Sequence, residues 1–168
     1  LYLDLGLIPL KIGEEARVAL STFTLEGKKH KSLRHVHNRL DKAGCQFVVV
    51  PSQDVSVLLP DLRVVSDAWL AAKHIREKGF SLGFFHPQYL QQGPVAIIRY
   101  QEKIVAFANL WCSADKIELS PDLMRYLPDA PDNVMEYLFL CLMLWGRQAG
   151  YHWFNSWRVC ASRMSGAA

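Results

Sequence analysis

Asp122-Leu123-Met124-Arg125-Tyr126 holds the residue types best suited to chemistry. Spacing places it in an irregular loop between a strand and a helix, where scaffolds commonly hold reactive side chains. An arginine there can bind a phosphate or carboxylate through two parallel hydrogen bonds, and the aspartate can orient that arginine or hold an ammonium group. The same spacing also fits an ion pair at the protein surface, a common and weak arrangement. Glu77-Lys78-Gly79-Phe80-Ser81-Leu82-Gly83 joins a helix end to two glycines and a hydroxyl, so its backbone can approach a ligand closely. It reads equally as a helix cap followed by a turn. A Ser-His-Asp use of Ser81 requires partners that spacing does not identify.

Other patterns are weaker. In Gly13-Glu14-Glu15-Ala16 the adjacent acids point to opposite faces of an extended segment and cannot serve one reacting atom. His35 and His37 diverge on a helix and would not share a metal ion. Neither the Gly-x-x-x-x-Gly-Lys phosphate loop nor the Gly-x-Gly-x-x-Gly fingerprint occurs.

These residues need a scaffold. Leu33, Val36, Leu40 and Ala43 recur at helical spacing within Lys28 to Ala43, with Lys28, Lys31, His35, Asn38 and Lys42 on the other face. Gly44 ends this basic amphipathic helix, and Gln46 to Val50 reads as a buried strand. A second helix is expected from Ser66, as N-cap, to Lys78 with Gly79 as terminator. Val95 to Tyr100 and Ile104 to Trp111 form an antiparallel hairpin, and Ile117 to Leu119 a short further strand. Three prolines make Ser120 to Pro131 irregular, Asp132 caps a long apolar helix ended by Gly150, and Tyr151 to Phe154 closes the sheet. The expected class is α/β of the α+β kind, a mixed, mostly antiparallel sheet flanked by helices.

At 168 residues and 51% hydrophobic content the chain suits one core. It starts on leucine, carries no recognisable secretory leader and reads as an excised piece. Val134 to Trp145 is apolar but well short of the ~20 residues that cross a bilayer, so a buried helix is expected. Four scattered cysteines suggest reduced, cytosolic thiols rather than a disulfide framework. The net charge is only +3, yet Glu26 to Lys42 holds six basic residues against two acids. Lys28, Lys31, Arg34, Arg39 and Lys42 therefore could grip tRNA phosphates or anionic lipid head groups, or simply form a solvated face.

Several motifs in order resemble the phosphatidylglycerol lysyl- and alanyltransferases of bacteria. They are Gly13-Glu14-Glu15-Ala16, Leu25-Glu26-Gly27-Lys28-Lys29, Leu33-Arg34, Trp69-Leu70, the Glu77 to Gly83 run, Ala106-Phe107-Ala108-Asn109, Asp122 to Tyr126 and Tyr151-His152-Trp153-Phe154-Asn155. The resemblance implies an N-acetyltransferase-like (GNAT) fold, with residues 1–155 as most of the second of two tandem copies behind a membrane-spanning region. Residues 156–168 depart from the family's pattern. It further implies aminoacyl-tRNA as donor and phosphatidylglycerol as acceptor, at the cytoplasmic face of the bacterial membrane, with lower membrane charge and resistance to cationic peptides as the outcome. No metal or organic cofactor is implied.

Carried onto this sequence, the resemblance assigns Asp122 and Arg125 to catalysis and positioning, and Glu77, Ser81, Asn109, Tyr126 and Glu136 to substrate binding. Partners would be aminoacyl-tRNA, phosphatidylglycerol and the membrane surface, with the first tandem copy and the spanning region of the same protein. Two other classes stay open. An acyl-CoA-dependent N-acyltransferase would need a glycine-rich pyrophosphate turn, which the sequence lacks; a non-catalytic module would use the basic helix to hold RNA or membrane.

Overall fold

Alternation along the central strands decides where the helices go. The computed structural model describes residues 16–77 and 84–156. Strands β1 (Ala16–Ala19), β2 (Gln46–Val50), β3 (Val95–Tyr100), β4 (Lys103–Cys112), β5 (Glu118–Tyr126) and β6 (Trp153–Ser156) form one sheet in the order β1-β6-β5-β4-β3-β2. Every pairing is antiparallel except β5 with β6. On β3, Ala96 and Ile98 enter one core cluster while Val95 and Ile97 enter the other, because successive strand side chains point to opposite faces. Helices α1 (Lys31–Lys42) and α4 (Val134–Gln148) cover the first face, and α2 (Val55–Ala72) and α3 (Pro87–Leu90) the second. With both faces covered, the β3 run is continuously apolar. This is the mixed, mostly antiparallel α+β arrangement expected.

The hairpin between β3 and β4 turns on Gln101 and Glu102, both at positive φ (49° and 63°). That backbone matches the right-handed twist of the flanking strands without a glycine. Helix α1 ends as its sequence requires. Gly44 lies at φ 90°, Cys45 N–H donates to Leu40 O and Gly44 N–H to Asp41 O, which together satisfy two of the last free carbonyls. Gly150 repeats the motif after α4, with Tyr151 N–H on Gly146 O. Helix α4 is buried along most of its length, and no described helix is long and apolar enough to cross a membrane.

Several expectations need correction. Ser66 is not an N-cap: α2 starts at Val55 and buries Ser66 in its interior. Pro60 lies within the helix on its exposed side, as does Ser56, the residue whose carbonyl loses its intrahelical partner. The same helix stops at His74 (φ 52°), whose N–H meets Ala71 O while Ile75 N–H meets Leu70 O. Gly79 is therefore not its terminator. Strand β2 is an edge strand and only half-buried. The α4 N-cap is Asn133 in the left-handed region rather than Asp132. Most consequential, Asp122 to Tyr126 is not a loop but the end of β5, with Pro121 inside the strand.

Candidate functional site

Two strand residues three apart ordinarily face opposite sides of a sheet, which would separate Asp122 from Arg125. The β4–β5 ladder changes that. Leu110 pairs with Pro121 and Ala108 with Met124, two steps on β4 against three on β5. The extra residue is a β-bulge, which re-aims the side chains that follow it. It also explains how a proline fits: Pro121 sits where the ladder is already irregular. Asn109, 5% exposed, stands opposite the bulge and accepts the Leu123 N–H on Oδ1 at 2.6 Å. Its side chain thus supplies the acceptor that the displaced backbone cannot.

Beyond the bulge, Arg125 points to the α2 side of the sheet. Its guanidinium lies 4.1 Å from the centre of the Trp69 ring of α2, a stacking that suits a planar cation. Nη2 donates to Glu77 Oε1 at 3.2 Å and Nη1 to Met124 O at 3.2 Å. Arg125 is 8% exposed, so this charge is held in a fixed direction in a largely dry setting.

Asp122 faces the same layer. The Tyr89 hydroxyl of α3 donates to Asp122 Oδ2. Tyr89 stacks on Phe84 at 5.5 Å and meets Trp111 edge-on at 6.0 Å. Burial, and next the Asp122 carboxylate beside it, push the Tyr89 phenol above its ordinary range, so its proton stays in place. The result is a carboxylate and a guanidinium on one face, each braced by an aromatic ring. Such a pair can orient a hydroxyl, accept its proton and stabilise an oxyanion or phosphate.

The other expected residues divide. Glu77 joins Arg125 directly. Asn109 holds the backbone between the two principal residues. Tyr126 and Glu136 do not join them: Tyr126 packs into the α1–α4 core, and Glu136 sits in the first turn of α4, accepting from Asn133 Nδ2 at 3.3 Å. Ser81 lies outside the described residues, as do Gly13 to Glu15. The run around Ser81 also has the Gly-x-Ser-x-Gly spacing of a nucleophile elbow, which depends on a strand before it and a helix after it; the described element before it is helix α2.

Among the basic residues, Lys28, Lys31 and Lys42 are exposed. Arg34 is committed to the backbone, with Nη1 on Leu25 O at 2.5 Å and Gly27 O at 3.2 Å. Arg39 ties α1 to the start of α4 through Asp132 O and Asn133 Oδ1. All five belong to the α1–α4 side, across the sheet from Asp122 and Arg125. Trp69 and Tyr89 were missed as site residues. Trp69 carried a signal in Trp69-Leu70, whereas nothing around Tyr89 in the sequence points to Asp122.

The sequence profile described as phosphatidylglycerol lysyltransferase, C-terminal, matches residues 1–165. The phosphatidylglycerol lysyltransferase of Bacillus subtilis is 46% identical over 92% of the chain, and that of Staphylococcus haemolyticus 37% over the same share. In both cases the chain spans only 18% of the relative's length. Among solved structures, L-PGS from Bacillus licheniformis superposes with a TM-score of 0.87 at 43% identity, over 99% of this chain and 53% of that one. A DUF2156 C-terminal domain from Agrobacterium fabrum gives 0.87 at 44% identity, over 91% of this chain and 48% of that one. The mixed sheet is thus shared with these solved structures, and the chain belongs to the phosphatidylglycerol lysyltransferase C-terminal family.

Proposed function

We propose that this chain is part of the catalytic region of a larger synthase that moves a lysyl group from its tRNA to a glycerol hydroxyl of phosphatidylglycerol. The observation carrying the reading is the bulge that brings Asp122 and Arg125 to one face of the sheet, in a chain whose relatives are named for this transfer. The donor ester is already activated, so positioning and charge stabilisation are the main requirements. The lipid hydroxyl attacks the aminoacyl carbonyl, forming the new ester bond. The bond to the terminal ribose oxygen of the tRNA breaks, and the proton lost by the lipid hydroxyl ends on that ribose oxygen. Asp122 accepts and relays the proton. Arg125, stacked on Trp69 and anchored by Glu77, stabilises the oxyanion or holds the lipid phosphate.

The work divides between the two layers. Lys28, Lys31 and Lys42 would hold the tRNA body or the anionic membrane surface, while the reactive ester reaches the opposite layer. A lysyl lipid carries less negative charge than its precursor, which would weaken the attraction of cationic peptides to the membrane. The setting is the cytoplasmic face of the membrane, with the rest of the synthase supplying the anchor.

Asp122→Asn and Arg125→Lys in the intact synthase test the assignment, with transfer of radiolabelled lysine from lysyl-tRNA to phosphatidylglycerol as the readout. Loss of positioned proton transfer costs about 10²- to 10⁴-fold, and loss of an oxyanion donor about 10²- to 10³-fold. Full activity in both variants overturns the reading.

A further inference from the structure

Asp122 offers two carboxylate oxygens, and an efficient acceptor presents one of them in a fixed direction. The side chains around it settle which. Asn109, on the neighbouring strand, uses Oδ1 to accept the Leu123 N–H beside Asp122. The Tyr89 phenol has one hydrogen to give, and it gives it to Asp122 Oδ2. The ring itself is pinned between Phe84, nearly parallel at 13°, and Trp111, inclined at 64°. At the bulge, two neighbouring residues of β5 are thus each held by a side chain: the Leu123 N–H by Asn109 and the Asp122 carboxylate by Tyr89.

We infer that Tyr89 is a positioning residue for Asp122: its hydroxyl occupies Oδ2 and so presents Oδ1 to the hydroxyl that attacks the aminoacyl ester. This rests on the assignment of Asp122 made above. Tyr89 acts through Asp122 and touches no reacting atom. Its loss should therefore slow the chemical step without weakening the binding of either substrate.

The test is Tyr89→Phe in the intact synthase, with kcat and KM measured for lysyl-tRNA and for phosphatidylglycerol vesicles. The change removes one oxygen and keeps the stacked ring. The expected result is a fall in kcat of about tenfold or more, with both KM values within about twofold of wild type and a Tm within about 2 °C. The inference is overturned if Tyr89→Phe keeps wild-type kcat, or if its loss of kcat comes with a matching loss of Tm. Asp122→Asn separates the two levels. An inactive Asp122→Asn beside a fully active Tyr89→Phe removes only the role of Tyr89, whereas a fully active Asp122→Asn removes the site assignment and this inference with it.

Discussion

Replacing Asn109 by alanine should dismantle the device that faces Asp122 and Arg125 the same way. The bond from Leu123 N–H to Asn109 Oδ1 is 2.6 Å long, and both residues are buried, at 1% and 5% exposure. Without the amide, the Leu123 N–H is left without an acceptor in a dry place. A buried donor in that position costs about 1–3 kcal/mol. For a chain of this size each kcal/mol moves Tm by about 2–4 °C, so a drop of about 2–12 °C is expected. Asn155→Ala is a matched control: Asn155 is 6% exposed, and among the described residues no hydrogen bond reaches its Oδ1. Deleting that side chain breaks no such bond and should cost less. Calorimetric unfolding of the two variants measures the difference, and lysyl transfer by the intact synthase should fall only for Asn109→Ala. Equal Tm losses, or an Asn109→Ala shift below about 1 °C, would refute the claim that this amide holds the bulge.

Other consequences can be measured independently. A Cβ on Gly93 would lie 2.6 Å from the Leu110 carbonyl oxygen, a backbone atom that cannot swing away; Gly93→Ala should lower the urea midpoint by the equivalent of about 1–3 kcal/mol. Burial first of all holds the Cys141 thiol up to about 12 and the Tyr151 phenol up to about 12. Unfolding therefore releases protons once pH exceeds their ordinary values, ~8.5 and ~10, and stability should fall from about pH 9 to pH 12. Cys141→Ala should make that decline shallower in pH-dependent urea titrations. If Lys28, Lys31 and Lys42 meet tRNA phosphates, changing all three to glutamine should reduce the slope of log affinity against log salt by about 2–3. An unchanged slope in filter binding would move the contact elsewhere.

The elements came through wherever the local signal and the tertiary context agree. Strands β2 and β3 have the bounds that their β-branched runs suggest, and Gly44 and Gly150 end helices because both adopt positive φ. The misreadings share a cause. Pro121 looked like a break, yet it lies in a bulge, where a missing N–H matters little. Ser66 resembled a cap and is instead buried, while His74 took the terminating conformation that sequence reading reserved for Gly79.

The site was legible in its principal residues and hidden in its geometry. Asp122, Arg125 and Glu77 followed from motif resemblance and do meet on one face or in one ion pair. What the motif did not reveal is how they are held. A bulge depends on register between β4 and β5, and register is a property of the pair that neither strand encodes alone. Tyr89 reaches Asp122 across 33 positions from a four-residue helix, a contact with no periodicity to announce it. Charge alone was also a coarse guide, because Arg34 and Arg39 belong to the basic segment yet are engaged in backbone contacts.

The central claim is tested most directly by supplying the intact synthase with phosphatidylglycerol vesicles and a panel of charged tRNAs, with acetyl-CoA as a parallel donor, and identifying lipid products by mass spectrometry. Lysyl-phosphatidylglycerol formed from lysyl-tRNA, with no product from acetyl-CoA, is the predicted result. The absence of an aminoacyl lipid with every tRNA, or an acetylated product, would contradict it.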